Sequence, residues 1–356
     1  MKNKITILIT GAGAPGIAGT IYSLKNNPDN INFKIITTDI KKNPVGKFLS
    51  ESFYRIPPPE NKDYISILEQ IIKQEKVEVI LPQTTREIIV LSQRKDEIYK
   101  IGASVVVSDY ETLRKANDKY LVTEECKKIG IPYPEYYLVN NKKTFFKSLD
   151  LLGYPENRVV VKPRLSNGLR GLRIVTENVI SIGEFLNKKP SGLEINLKNL
   201  LSIFKYGEFP ELLIEEYLPG KEYTVDMFRN SKGTVIIPRI RETIRSGISF
   251  DTKIDLRKDI IEYSQKLANS LDLKYCFGFQ FKLDDKGVPK ILESNPRVQG
   301  TMVTSTFAGF NMIYYSIKQA LGEEIDLENI KIKNSIKFKR YWGGIGIDAE
   351  NFLGRI

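Results

Sequence analysis

Residues 276–297 read CFGFQFKLDDKGVPKILESNPR, and the fold turns on how this stretch is read. Two apolar runs rich in aromatic and β-branched residues flank Asp284-Asp285-Lys286-Gly287, so the pattern predicts a β-hairpin with DDKG as its turn. With the turn centred between Asp285 and Lys286, Gln280 stands opposite Ile291. Side chains alternate along a strand, so Glu293 and Asn295 then share the face of Gln280. Three oxygen donors on one face suit a hard cation such as Mg²⁺, which takes few protein oxygens and completes its shell with water and phosphate. Arg297 follows as a charge able to steady a transferred phosphoryl group or an acyl phosphate. An ordinary exposed hairpin face is the alternative. It does not readily explain an acid-x-amide-x-Arg order running into the small residues TMVTST.

The surrounding chain has 356 residues, enough for two or three domains, and 41% apolar residues, enough for packed cores. No stretch approaches membrane-spanning length. The apolar run ITILIT near the amino terminus leads into glycines rather than a cleavage site, which reads as a first strand. Cys126 and Cys276 match no metal motif, so a reducing cytoplasm is expected. The count of histidines is 0, which excludes Ser-His and Cys-His nucleophile pairs and histidine-bound zinc. The net charge of +11 comes from lysines scattered among glutamates, as in YISILEQIIKQEKVEVI. That pattern reads as a solvated surface and not as a nucleic-acid module, although part of the charge can serve an anionic substrate.

Residues 5–107 alternate short strand-like runs (ITILIT, FKIITTD, VEVILP, ASVVVS) with helical patterns, the signature of a parallel α/β sheet. Helical periodicity then runs through ETLRKANDKYLVTEECKKIG. Strands are expected at RVVVKP, LLIEEY, EYTVDMF, TVIIPRI and SIKFKRYW, with helices at 257–272 and 312–321 and a less determined helical stretch at 179–207. GAGAPG, residues 11–16, follows a strand and opens a helix, and Asp39 ends the next strand. That is the dinucleotide fingerprint with its ribose acid, or else a tight strand-to-helix turn.

The hairpin GFQFKLDDKGVPKILESNPRV resembles the metal-binding hairpin of ATP-grasp enzymes, and is similar above all to the carbamoyl-phosphate synthase large-subunit type. The resemblance continues into TFAGFN, and other family signatures follow in the expected order along nearly the whole chain. It implies an ATP-grasp fold of mixed α/β and α+β class. Its parts would be a pre-ATP-grasp α/β domain at 1–112, an ATP lid at 113–217 and an antiparallel-sheet metal and substrate domain at 218–356. It implies ATP and Mg²⁺ as cofactors, two ions with Mn²⁺ as a substitute, held by Gln280, Glu293 and Asn295. By the same resemblance Lys119 and Lys162 are nucleotide-binding cations, and RLSNGLRG, with Ser166, Asn167, Gly168 and Gly171, is the mobile loop over the phosphates. LLIEEYLPGKEYTVD becomes the adenine hinge. There Glu215, Glu216, Tyr217 and Leu218 line the base, and Glu222 reaches the ribose. The physics of the loop agrees. Gly168 and Gly171 let backbone N–H groups approach phosphate oxygens, while Arg164 and Arg170 add positive charge.

The likeness breaks between hinge and hairpin, where the synthase pattern includes a histidine. Here stands VIIPRIRETIRSGISF, with Arg239, Arg241 and Arg245. Closely spaced arginines suit bidentate capture of a carboxylate or acyl phosphate, and Arg241 and Arg245 join Lys162 and Arg297 as expected catalytic groups. Thr84-Thr85-Arg86-Glu87, just past VEVILP, is a second substrate-facing candidate at the carboxyl edge of the sheet. The expected chemistry is carboxylate-amine ligation through an acyl phosphate by a cytoplasmic enzyme, acting on small molecules, without nucleic acid or membrane, with a second copy in a homodimer as the one protein partner considered. Phosphorylation of bicarbonate and an NAD(P)-dependent oxidoreductase built on GAGAPG are the rival readings.

Overall fold

The computed structural model describes residues 4–177, 181–187, 192–348 and 351–356, so the stretch 179–207 falls partly outside the described residues. Near the amino terminus five strands form a parallel sheet: β1 (Lys4–Thr10), β2 (Asn32–Asp39), β3 (Ser52–Arg55), β4 (Val79–Pro82) and β5 (Ser104–Val105). Their order is β3-β2-β1-β4-β5, so the progression of strands across the sheet reverses between β1 and β4 while all run parallel. Helices α1 (Ile17–Lys25), α2 (Tyr64–Glu75) and α3 (Thr85–Gln93) supply crossovers. Near-continuous apolar strands are what a sheet covered on both faces requires. β3 was not foreseen from the sequence.

The chain divides into two compact units. One comprises residues 1–117, 221–281 and 293–356; the other comprises 118–220 and 282–292.

The second unit holds a five-stranded sheet of β6 (Tyr136–Val139), β7 (Val159–Pro163), β8 (Arg173–Val175), β9 (Glu194–Ile195) and β10 (Leu212–Glu216), in the order β6-β10-β7-β8-β9. Its core gathers Phe145, Leu149, Val159, Val161, Leu212 and Ile214. The helical run expected at 111–130 is two helices, Tyr110–Ala116 and Lys119–Ile129. The break has a cause. Asp118 accepts bonds from the backbone N–H groups of Tyr120 and Leu121, which caps a new helix.

A six-stranded sheet in the order β15-β14-β11-β12-β13-β16 draws its strands from the first unit except at residues 282–292. Its strands are β11 (Glu222–Arg229), β12 (Thr234–Arg245), β13 (Ile248–Ile254), β14 (Tyr275–Leu283), β15 (Pro289–Asn295) and β16 (Lys337–Lys339). One apolar cluster joins Ile7, Ile9 and Ile35 of the parallel sheet to Phe228, Ile237, Met302 and Tyr314, which makes this unit continuous. The last strand is shorter than SIKFKRYW, and an unforeseen hairpin follows, β17 (Ile345–Asp348) with β18 (Asn351–Arg355).

Candidate functional site

The hairpin forms, with a turn one residue longer than expected. The Asp284 N–H donates to Val288 O at 3.0 Å and the Gly287 N–H to Asp284 O at 3.2 Å, so Asp285–Gly287 make the turn. Gly287 sits at φ +80°, the left-handed position that a bulged three-residue turn assigns to glycine. This corrects the centre expected between Asp285 and Lys286. An unbroken ladder from that turn would pair Gln280 with Leu292 and set it on the face opposite Glu293 and Asn295.

The side chains fall into two hydrogen-bonded groups within the first unit. In one, the Asn295 amide donates to Glu293 Oε1 at 3.1 Å, and Arg297 Nη2 donates to Asn295 Oδ1 at 3.0 Å. Arg297 also donates from Nε to Thr85 Oγ1 and from Nη1 to Val298 O, both at 3.0 Å. Burial lowers the Arg297 pKa, partly offset by the charge of Glu293. In the other group Arg241 Nη1 pairs with Glu222 and lies 3.5 Å from Gln280 Oε1, while its Nε donates to Ser249 Oγ at 2.9 Å.

The three closely spaced arginines of β12, of which Arg241 and Arg245 were expected at the site, have different surroundings. Arg239 is fully buried and held bidentately by Asp226 at 2.8 and 3.1 Å. Arg245 stands over the rings of Phe250 and Trp342, at 4.8 and 5.9 Å from their centroids. Between Arg241 and Ile244 the register of β12 against β13 shifts, so strict alternation no longer carries Arg241 and Arg245 to one face.

In the second unit Lys162 is buried and pairs with Glu215 at 2.7 Å, and its Nζ donates to Leu292 O at 3.3 Å. A buried cation needs such a partner, and phosphate oxygens could take that place. Lys119 Nζ reaches Ser166 O and lies 3.3 Å from Ser166 Oγ. In the loop, Arg170 donates to Asn167 Oδ1 at 3.1 Å, and Gly168 and Gly171 have φ of +64° and +77°. Arg164 does not face the loop. It forms ion pairs with Asp118 at 2.7 Å and Glu211 at 3.1 Å. In the hinge, Glu216 accepts from the Glu135 N–H at 2.9 Å and pairs with Lys290. Tyr217 lies under the Arg158 guanidinium at 4.0 Å, and Leu218 is buried.

At the carboxyl edge of the parallel sheet, the turn that follows β1 is packed on its own neighbours. The Gly13 N–H donates to Asp39 Oδ2 at 2.6 Å, which occupies the acid that a dinucleotide site would offer to ribose. The Gly46 N–H donates to Ala12 O at 2.9 Å, and a Cβ on Gly16 would lie 3.0 Å from Gly300 Cα. These contacts favour the packing reading of GAGAPG. Beside it, Glu87 is buried, accepts from Thr84 Oγ1 at 2.6 Å, and has its carboxyl pushed above the usual range by desolvation. Arg86 points elsewhere, to Glu60 at 2.7 Å. Burial raises both thiols, Cys126 and Cys276, to about 12, so neither is a ready nucleophile.

Oxygen donors with a single carboxylate fit Mg²⁺ as a shared ligand set. Among the described residues, no group of three His, Cys, Asp or Glu side chains could hold a metal by itself. Arg340 was missed by the sequence reading. It lies 43 positions past Arg297 in sequence, and only the folded chain shows it at the GAGAPG turn.

A parallel α/β domain, a five-stranded unit and a sheet ending in the E-x-N-P-R hairpin define the ATP-grasp class. Residues 208–341 match the family model "ATP-grasp in the biosynthetic pathway with Ter operon", and residues 7–106 match "PylC-like, N-terminal domain". The chain thus carries an ATP-grasp domain behind a PylC-like N-terminal domain, and it is homologous to the carbamoyl phosphate synthase large chain. It is 23% identical over 314 residues to that large chain from Clostridium acetobutylicum, covering 85% of this chain and 26% of the relative. To the "large chain, N-terminal section" of Aquifex aeolicus it is 25% identical over 304 residues, covering 79% and 51%. The chain therefore spans between a quarter and a half of these relatives. Among solved structures, the biotin carboxylase domain of Hydrogenobacter thermophilus 2-oxoglutarate carboxylase, in complex with MgADP, ADP and bicarbonate, matches with TM-score 0.68 and 17% identity. That match covers 92% of this chain and 72% of the other. No helix among the described residues is long and apolar enough to cross a membrane.

Proposed function

We propose that this chain is an ATP-dependent carboxylate-amine ligase of three functional parts: pre-domain, lid and metal domain. The single observation that carries the reading is the hydrogen-bonded run Glu293–Asn295–Arg297 leaving β15, an acid and an amide carbonyl fixed beside a half-buried guanidinium. Lys119, Lys162, Ser166, Asn167, Gly168 and Gly171 bind the phosphates of ATP. Glu215 to Leu218 line the adenine and Glu222 the ribose, so Glu215 must release Lys162 and Arg241 must release Glu222 when nucleotide binds. Glu293 and Asn295 hold Mg²⁺, with Gln280 as a third oxygen where an irregular ladder permits. Bound Mg²⁺ supplies Lewis-acid neutralisation of the phosphate oxygens.

A substrate carboxylate oxygen attacks the γ-phosphorus in line. The bond to the β-phosphate oxygen breaks, and ADP and an acyl phosphate result. Arg297 and Lys162 stabilise the charge that develops on the transferred group. An amine nitrogen then attacks the acyl carbon, phosphate leaves, and the nitrogen gives up a proton to leave an amide. The substrates are small molecules, the enzyme works in the cytoplasm, and Mn²⁺ can replace Mg²⁺. A screen of ADP release over pooled carboxylates and amines tests this. Turnover should appear in the wild type and fall by ~100-fold or more in Glu293→Ala; equal turnover in that variant rejects the metal assignment.

A second reading, phosphorylation of bicarbonate, is favoured by the carbamoyl phosphate synthase relatives. Bicarbonate-dependent ADP release without any added carboxylate would establish it in place of the first.

A further inference from the structure

The far end of β11 borders a cavity that no nucleotide or metal residue lines. The strand runs from Glu222 to Arg229, and at ~3.3 Å per residue its two ends lie ~23 Å apart. Arg229 stands on the rim of a cavity of about 420 Å³, within the range of small-molecule sites. On its side of the cavity Arg229 and Lys274 share Asp272. Arg229 uses only Nη1, which donates to Asp272 Oδ1 and to Leu273 O, both at 2.9 Å. Its Nε and Nη2 have no partner among the described residues.

The other side follows the helix Met312–Ala320 and is acidic, with Gln319, Glu323 and Glu324. Lys318 holds one oxygen of Glu323 at 3.0 Å, and Lys232 holds one oxygen of Glu324 at 2.8 Å. The second oxygen of each carboxylate has no partner among the described residues. Gln319 Oε1 is buried and unpaired, and a half-turn about its broad terminal torsion presents that acceptor to the cavity. The helix also points its negative end here, which favours a cation. Asn230 joins the two sides, donating from Nδ2 to Ile325 O at 2.9 Å.

Unfilled guanidinium donors on one side and unfilled carboxylate oxygens on the other are complementary to a zwitterion. A bare anion would meet Glu323 and Glu324, and a bare cation would meet Arg229 and Lys274. We propose that this cavity binds a free α-amino acid, its carboxylate on Arg229 and Lys274 and its ammonium on Glu323, Glu324 and Gln319. The site is one of binding, apart from the residues assigned to ATP, and it stands whether or not the ligase reading does.

The test is a thermal-shift series on the whole chain with the protein-forming α-amino acids added singly, and with acetate and ethylamine as the separated halves. At least one amino acid should raise Tm by ~2–4 °C. Acetate and ethylamine, alone or together, should raise it by much less. In calorimetric titration that amino acid should bind ~10-fold more weakly, or worse, to Arg229→Gln and to Glu323→Gln. Arg229→Lys should keep part of the affinity. A cooperative melt of each variant without ligand shows that it folds, and Glu323→Gln carries the test alone if Arg229→Gln does not. The proposal is overturned if no amino acid shifts Tm or if acetate reproduces the shift. It is overturned equally if affinity is unchanged in either folded variant, which would put the amino acid elsewhere on the chain.

Discussion

Two glycine-bearing turns, residues 11–16 and 166–171, invite the same reading as phosphate cradles, and their surroundings separate them. The first is filled. Gly13 is bonded to Asp39, Ala12 to Gly46 and Pro15 to Arg340, and Gly16 abuts Gly300. The second has Gly168, Arg170 and Gly171 exposed, and Gly168 has only the flexible Arg170 side chain within reach of a Cβ. Glycine serves packing in the first turn and again at Gly171, where a Cβ would meet Pro163 Cγ at 2.5 Å, while Gly168 stands open. The residue type is the same; what lies within 3 Å of it decides the role.

The sharpest way to break this comparison is to add a methyl group at each turn. Gly11 has φ +69°, and its Cβ would meet Thr84 Cγ2 at 2.6 Å. Gly11→Ala should cost ~2–4 kcal/mol in denaturant unfolding. Gly168→Ala should cost no more than ~1 kcal/mol, the strain of φ +64° alone, while lowering ATP turnover. Reversed costs would exchange the two assignments.

A somewhat smaller effect is expected where the filled turn's neighbours reach the E-x-N-P-R run. Thr85 accepts from Arg297 at 3.0 Å. Thr85→Val should lower kcat by ~10-fold with little change in the KM for ATP, and Thr85→Ser should restore most of it. A Thr85→Val enzyme with wild-type kcat would deny Thr85 a positioning role.

The smallest effect concerns Glu87. Its folded-state pKa is raised, so the folded protein binds a proton more readily than the unfolded chain. The stability this contributes is present below the ordinary carboxylate range and is lost as pH rises through the raised value. Glu87→Gln should therefore flatten the fall in Tm over that interval, by ~1–3 °C, and leave acid stability nearly unchanged. Parallel Tm profiles for the two proteins would contradict the buried-acid account.

How much was legible in the sequence follows from range. Alternation and turn residues revealed the hairpin, the parallel sheet and the E-x-N-P-R run because those signals act between near neighbours. The extra turn residue at Gly287 and the register shift in β12 lie below that resolution, yet each changes which side chains share a face. Hence Arg241 and Arg245 seemed a pair from spacing but have different partners, Glu222 and Ser249 for one and the Phe250 and Trp342 rings for the other. Arg340 escaped notice for a different reason: its partners Pro15 and Gly300 lie 325 and 40 positions away.

The most direct measurement is calorimetric titration of Mg·ADP into the wild type and into Glu293→Ala at matched ionic strength. The account predicts micromolar-range binding that weakens by ~10-fold or more in the variant. Equal affinity, or Mg·ADP binding lost on changing Asp39 rather than Glu293, would contradict it.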